Sequence, residues 1–228
     1  MNTNKNTTPI LYSFRRCPFA MRARSALYFS NIKVILREVV LRNKPKEMLD
    51  VSNKATVPVL VLKEKVIDES LDIVIWALKT DDKLNLLNPY HKEKDKIIKF
   101  INQIDNQFKY HLDRYKYSSR YEDCKSFEGK NKHRDHAANY IIEIEDLLKK
   151  NKATYFYDNK LSIIDLCIFP LIRQFRIADK KWFDDNTNFI HTHKWLNTIL
   201  ELDFFKIIMK KYKPWREASI PQFFASNL

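Results

Sequence analysis

Pro9-Ile10-Leu11-Tyr12-Ser13-Phe14-Arg15-Arg16-Cys17-Pro18-Phe19-Ala20 is an apolar run that ends at a cysteine followed at once by proline. The run reads as a short strand. Pro18 suits the first position of a helix, because its ring presets φ and the N–H it lacks would have no partner there. A thiol is therefore placed where a strand turns into a helix start. Helix-start N–H groups and the positive end of the helix dipole favour a thiolate over a thiol, and Arg15 and Arg16 add positive charge nearby. Taken alone, Cys17-Pro18-Phe19-Ala20 is equally consistent with an ordinary packed cysteine, since free cysteines are among the most buried residues.

The next sixty residues separate the two readings. Ile32 to Val40 is β-branched and reads as a second strand, and Pro45 to Val51 as a short helix. Thr56-Val57-Pro58-Val59-Leu60-Val61-Leu62 is a strand opened by proline, Lys63-Glu64-Lys65 a turn, and Val66-Ile67 another strand. Asp68-Glu69-Ser70 closes that strand and begins a helix through Leu71, Ile73, Val74, Trp76 and Leu78. The order β-α-β-α-β-β-α, with cysteine after the first strand and Val-Pro before the third, resembles the thioredoxin-like domain of glutathione S-transferases. Within that family it looks most like the bacterial, omega-like, cysteine-containing branch. The likeness is carried by Ser13-Phe14-Arg15-Arg16-Cys17-Pro18, Ala20-Met21-Arg22-Ala23-Arg24, Thr56-Val57-Pro58-Val59-Leu60 and Ile67-Asp68-Glu69-Ser70-Leu71 together.

The resemblance implies a role for each segment. Cys17 is the catalytic residue. The Val57-Pro58 bond is cis, which lets the Val57 backbone pair with the cysteinyl backbone of glutathione as an added strand pairs with a sheet edge. Glu69 meets the γ-glutamyl ammonium, and the Ser70 hydroxyl with the helix-start N–H holds the γ-glutamyl carboxylate. Lys44 reaches the glycyl carboxylate, a task open also to Arg42 and Lys46, and Phe19 joins the glutathione-binding set. The plainer reading of Glu69-Ser70 is a helix cap with Ser70 at the N-cap.

Departures from the family pattern refine the chemistry. Ala20 stands three residues after Cys17, so no Cys-x-x-Cys pair exists; Cys124 and Cys167 lie far along the chain, the latter in an apolar run. Tyr12 and Ser13 lie close to where the hydroxyl branches of the family carry their activating residue. A cysteine at the helix start instead favours a mixed disulfide with glutathione. Gly129 is the single glycine, so turns fall to Asn, Asp, Lys or Ala, as at Ala55 before the Thr56-Val57-Pro58 turn.

The remainder is helical in pattern. Thr80 to Asn88 is polar and reads as a linker, giving domains at 1–80 and 92–228 with the linker at 81–91. Ile97, Ile98, Ile101, Ile104, Phe108, Leu112 and Tyr115 recur at helical spacing, as do Ala137, Tyr140, Ile141, Ile144, Leu147 and Leu148. Ser162-Ile163-Ile164-Asp165 reads as a capping box opening a central helix over Leu166 to Ile177, interrupted or kinked at Pro170. Short helices follow at Trp195 to Leu200 and Phe204 to Tyr212. The fold class is therefore a two-domain, glutathione S-transferase-like one, an α/β thioredoxin-like domain followed by an all-α domain. Lys213-Pro214-Trp215-Arg216 and the region of Tyr110, Arg114 and Tyr117 are candidates to border a second-substrate pocket, from where the family's helical domain faces the thiol.

A chain of 228 residues can bury roughly 70% of its unfolded surface, enough for two small packed domains without metals or disulfides. No stretch approaches a membrane span, and Met1 to Thr8 lacks the apolar centre of a signal peptide. Three cysteines suit a reducing cytoplasm better than a disulfide framework. The formal charge of +13, from 41 Lys and Arg against 28 Asp and Glu, raises nucleic acid or membrane as partners. The lysines are scattered through every segment, which points to biased composition and to no specific nucleic acid partner. His191-x-His193 with Asp184 and Asp185 lacks a metal-ligand spacing, so no metal is expected, and His133 and His136 read as an exposed or half-buried helix face. The resemblance thus implies a cytoplasmic, homodimeric, monothiol thiol transferase, with glutathione as co-substrate and a small-molecule or protein disulfide as second substrate. Reduction of dehydroascorbate is a related family activity. The alternative is a non-enzymatic interaction protein of the stringent starvation type.

Overall fold

A computed structural model describes residues 8–225 of the chain. Two compact units are present, one formed by the chain up to Leu87 together with the stretch from Asp203 onward, the other by Asn88–Leu202.

The first unit is built on a five-stranded sheet of order β4-β3-β1-β2-β5. Its central strand β1 (Ile10–Ser13) pairs in parallel with β2 (Val34–Glu38) and antiparallel with β3 (Val59–Val61). Leu11, Tyr12 and Ser13 are all buried. That explains why the run is apolar without alternation: a strand covered on both faces carries no polar side. The connection from β1 to β2 is α1 (Pro18–Phe29), the connection from β2 to β3 holds α2 (Lys46–Val51), and β4 (Val66–Ile67) forms a hairpin with β3. Helix α3 (Ser70–Thr80) packs on α1. Elements expected from the pattern are thus present in the expected order, the strands shorter than their apolar runs.

Two boundaries differ from the sequence reading. The expected linker is folded: Asp82 accepts the backbone N–H groups of Leu86 and Leu87 at 2.8 Å each, and both leucines are buried. A carboxylate that caps two successive amides makes a compact turn out of a polar stretch. The stretch from Asp203, which periodicity placed in the helical domain, belongs to the first unit. Helix α10 (Asp203–Ile208) packs against α1, and β5 (Phe223–Phe224) pairs antiparallel with β2 through Val34 and Ile35. Trp215 donates its backbone N–H to Glu38 O at 2.9 Å and sets its indole against Tyr12, with the Arg37 guanidinium 4.0 Å from the indole centroid. The exposed edge of β2 is thereby covered, the usual remedy for unpaired strand groups. A two-residue strand has no periodicity to read.

The second unit is helical: α4 (Asn88–Gln103), a π-helical segment Ile104–Phe108, α5 (Lys109–Lys116), α6 (Lys130–Asn151), α7 (Ile163–Ala178), α8 (Lys180–Asp184) and α9 (Ile190–Glu201). Gly129 precedes α6 at φ +98, a backbone that L side chains rarely adopt, and a Cβ there would meet no atom within 4 Å. The glycine is required by conformation and not by space. The capping box is present at the start of α7, which runs on through Pro170. Asp165 is fully buried, and its carboxylate accepts from Ser162 N at 2.9 Å, Ser162 Oγ at 2.7 Å, Phe156 N at 3.1 Å and Trp195 Nε1 at 2.8 Å. One carboxylate so joins the start of α7 to α9 and to the segment before it. Burial pushes Asp165 up to about 6 against these donors, and with four donors on two oxygens it is held as an anion at neutral pH. None of the helices over the described residues is long and apolar enough to cross a membrane.

Asp165→Asn keeps the volume but turns an amide N–H₂ toward donors, so it is expected to cost about 2–3 kcal/mol. Urea unfolding followed by tryptophan fluorescence measures this; a midpoint equal to wild type would remove Asp165 from the core of the unit.

Candidate active site

The end of β1 and the start of α1 are joined by one tight turn. Cys17 N donates to Phe14 O at 3.0 Å, and Cys17 O accepts from Met21 N at 2.9 Å as the first carbonyl of α1. Cys17 therefore occupies the N-cap with extended backbone, and Pro18 follows as the first helical residue, as the sequence predicts. The thiol is half-buried and packs at the edge of a cluster of Tyr12, Ala20, Val39, Met48, Val57 and Val59.

Val57, forty residues on, is brought to it by β3. Cys17 Sγ lies 3.5 Å from Val57 O, with the thiol as donor, and the Val57-Pro58 peptide bond is cis. Ala55, two residues earlier, takes φ +51. A non-glycine residue in the left-handed region costs about 1–2 kcal/mol, so the glycine-poor composition is felt as strain beside the site.

Glu69 is the N-cap of α3 and Ser70 its first helical residue, so Ser70 is not the cap that the plainer reading supposed. Ser70 is buried, and its Oγ accepts from Arg22 Nη1 at 3.3 Å. Arg22 is itself buried on α1, with its guanidinium 5.3 Å from the centroid of the half-exposed Phe19 ring. Glu69 is exposed, and its Oε1 accepts from Lys54 Nζ at 2.5 Å. Lys54 also reaches Asp68 Oδ1 at 3.1 Å, and Ser52 Oγ donates to Asp68 Oδ2 at 2.8 Å, which with Lys54 holds that carboxyl below its usual range. Lys44 lies half-exposed on the loop before α2. The structure thus brings Cys17, Val57 and Pro58 together and joins Phe19 to Ser70 through Arg22.

The hydroxyls nearest the thiol are already engaged. Ser13 is fully buried and its Oγ accepts from Arg24 Nη1; Tyr12 is buried, and its OH accepts from Arg37 Nη1 at 2.5 Å. Burial raises the Tyr12 phenol above its ordinary range, with Arg37 opposing. The two side chains lie on opposite faces of β1, and both are buried because both faces are covered. Arg24 and Glu38 were not singled out by sequence, because an arginine inside a helix and a glutamate at a strand end are ordinary surface patterns. Arg24 is buried within α1, and Glu38 Oε1 accepts Arg15 N at 2.8 Å on the turn before Cys17.

The remaining candidates are accounted for by other partners. Cys167 is buried and Cys124 exposed. His191 Nδ1 lies 2.7 Å from Glu145 Oε1, His193 Nε2 is 2.8 Å from Phe183 O, Asp184 pairs with Arg176, and Asp185 with Lys181. Among the described residues no group of three or more His, Cys, Asp or Glu is arranged to hold a metal ion. The segment around Trp215 lies against β2 of the first unit, while Arg114 stacks on Tyr110 and Tyr121, and Tyr117 OH accepts from Gln174. His133 is buried, unlike the exposed or half-buried face that its spacing suggested. Its Nε2 accepts from Glu128 N at 3.4 Å, so a neutral ring carries its proton on Nδ1 and donates to His111 Nδ1 at 2.9 Å.

Desolvation, His136, His133 and Arg114 together hold His111 down to about 4. The folded chain then binds fewer protons at His111 than the unfolded chain between about pH 6.5 and 4. This contribution to stability is present above that window and is lost as pH falls through it. His111→Gln is expected to flatten the fall of the unfolding midpoint between pH 6.5 and 4; an unaltered slope would show that the pair is not titrating there.

Matches to known proteins cover most of the chain. The family model described as glutathione S-transferase, N-terminal domain, matches residues 11–83, and that described as glutathione S-transferase, C-terminal domain, matches residues 106–203. Glutathione S-transferase omega-1 of Sus scrofa is 26% identical over 180 residues, covering 78% of this chain and 71% of its own. A probable maleylacetoacetate isomerase of Caenorhabditis elegans is 28% identical over 175 residues, covering 73% and 78%. In fold, the tau class glutathione S-transferase of mango, Mangifera indica, is similar with a TM-score of 0.74 at 21% identity, over 90% of this chain and 94% of that one.

Proposed function

The chain belongs to the glutathione S-transferase family, and from that premise we propose that it is a monothiol, glutathione-dependent thiol transferase of the omega-like kind, with Cys17 as its nucleophile. Membership and the omega-1 likeness support glutathione-dependent transferase activity in general. The observation that carries the narrower reading is the contrast at the end of β1: the Ser13 and Tyr12 hydroxyls are buried and engaged by arginines, while the Cys17 thiol is half-exposed at the helix start. A hydroxyl mechanism needs one of those groups at the substrate sulfur.

In this reading glutathione is co-substrate. The Val57 backbone pairs with its cysteinyl part, Pro58 shapes that bend, Ser70 and the start of α3 take the γ-glutamyl carboxylate, Glu69 its ammonium, Lys44 the glycyl carboxylate, and Phe19 joins the binding set. One contact tests the fit directly: Glu69 already holds an ammonium, that of Lys54, at 2.5 Å. The Cys17 thiolate attacks the glutathione sulfur of a mixed disulfide. A new sulfur–sulfur bond forms to Cys17, the old one breaks, and the second substrate leaves as a thiolate that takes a proton from water. A second glutathione thiolate then attacks the Cys17-bound sulfur, giving glutathione disulfide and restoring the Cys17 thiolate. The net change is reduction of the mixed disulfide to the substrate thiol by one glutathione thiol, with glutathione disulfide as the other product. Absence of a second cysteine at Ala20 suits this one-thiol route. The cytoplasmic, homodimeric state rests on the family alone.

Cys17→Ser is expected to abolish thiol transfer from a glutathione mixed disulfide with the circular dichroism spectrum unchanged, and conjugation of glutathione to an aryl halide should be slow beside transfer in wild type. Wild-type transfer by the mutant, or conjugation that exceeds transfer and survives the substitution, would overturn the assignment.

A second experiment addresses the binding groups. Glu69→Ala or Ser70→Ala should weaken glutathione by about 1–3 kcal/mol. Lys54→Met, which frees the Glu69 carboxylate, should tighten it by about twofold to fivefold, the range of an exposed ion pair. Calorimetric titration reads both, and equal affinity in all three variants would return Glu69 and Ser70 to helix capping alone.

A further inference from the structure

We propose that Arg24 is the positioning residue of this site, a buried guanidinium that fixes the turn leading into Cys17 and keeps the sulfur anionic, with the C-terminal segment as its far anchor. This rests on the reading of Cys17 as the nucleophile and goes beyond it.

Arg24 is 1% exposed, two helical turns along α1 from Cys17, and its side chain reaches back past the helix start. Nη2 donates to Arg15 O at 2.8 Å, and Nη1 to Ser13 Oγ and to Phe14 O at 3.4 Å. Phe14 O also accepts the Cys17 N–H at 3.0 Å, so a single carbonyl is shared by the guanidinium and by the residue that bears the thiol. Nε donates to Ile208 O at 2.9 Å, at the end of α10. Three successive residues before the nucleophile are thus pinned to one planar fork, and the fork is pinned to the far end of the chain. Its five donors in a rigid plane make arginine the residue able to do this.

All four acceptors are neutral. A buried cation hydrogen-bonded only to neutral groups is costly unless an anion lies close. The groups whose charges act on Arg24 are Glu38 on β2, Cys17 at the start of α1, Tyr212 on the segment after α10, and Arg15 as a like charge on the intervening turn. Burial holds Arg24 down to about 10, still protonated at neutral pH, while Glu38 and an ionised Cys17 raise it. By reciprocity the guanidinium favours the thiolate. Arg15 and Arg16, the cations that sequence suggests, are used otherwise: Arg15 engages Glu38 through its backbone, and the exposed Arg16 side chain lies 5.5 Å from the Phe14 ring centroid. Exposed charges are screened by salt, and a buried one much less. Glu38 is the opposing element, an anion beside the same cation whose own carboxyl is raised by burial.

The test is the pH dependence of Cys17 alkylation by iodoacetamide, mapped by mass spectrometry in the full chain, for wild type, Arg24→Gln, Arg24→Lys and Glu38→Gln. Wild-type Cys17 should titrate well below the roughly 8.5 of a free thiol. Arg24→Gln should move that midpoint up by about one pH unit, a roughly tenfold loss of rate below the midpoint. Arg24→Lys, which keeps the charge and loses the fork, should leave the midpoint near wild type, and Glu38→Gln should move it down. A folded Arg24→Gln with an unmoved midpoint overturns the proposal, as does Arg24→Lys shifted as far as Arg24→Gln. If Arg24→Gln does not fold, Glu38→Gln decides: a midpoint unmoved or raised refutes the electrostatic role. Failure of the underlying reading looks different, since wild-type Cys17 would itself titrate near 8.5.

Discussion

The first turn of α1 is the constraint around which the first unit is arranged. A helix that begins immediately after a central strand turns its N–H groups toward the end of that strand, and those groups have no carbonyl partners inside the helix. Proline at the first helical position removes one donor and fixes the direction of the turn; cysteine before it takes the N-cap, where the partial positive charge of the helix is greatest. The bend at Val57 and Pro58 then sets a backbone carbonyl 3.5 Å from the sulfur. Two segments forty residues apart meet because β1 and β3 are neighbours in one sheet. The strand pairing therefore sets the geometry of the candidate site.

Around this point the unit places charge where it is least screened. Arg22 and Arg24, two residues apart on α1, are both buried, one reaching Ser70 at the start of α3 and the other the turn before Cys17. Arg24 spends its donors on backbone and hydroxyl oxygens, and Arg22 reaches the Ser70 hydroxyl. Such an arrangement adds little to stability compared with an apolar core. Its return is geometric: the turn before Cys17 and the start of α3 at Ser70 are both tied to one helix. The C-terminal stretch joins the same arrangement through Ile208 and through β5, which closes the β2 edge.

Scarcity of glycine leaves its mark on this chain. Gly129 stands where φ +98 demands it, at the start of α6, and the other described positive-φ positions are filled by Asn, Asp, Lys or Ala. Asn and Asp tolerate the left-handed region because their side chains bond locally, whereas Ala55 has no such compensation. Its place just before the Val57-Pro58 bend puts the strained residue where a functional site can use a fixed backbone.

What the sequence by itself determined were the features that depend on neighbours along the chain. The apolar run into Cys17-Pro18, the Val-Pro bend, the Glu69-Ser70 helix start and the Ser162–Asp165 capping box all rest on local rules of φ, donors and caps, and each is found in its place. The fold class followed from the resemblance to glutathione S-transferases that these segments carry together. Tertiary structure alone decided that Arg24 is buried and reaches the turn before Cys17, because Arg24 and Arg15 look alike in sequence and differ only in burial and reach. It alone decided that the stretch from Asp203 joins the first unit, since a two-residue strand and a backbone carbonyl at Ile208 leave no periodic trace. It also decided that Ser13 and Tyr12 are engaged and Cys17 half-exposed, for alternation along a strand says that side chains diverge but not what waits on either face.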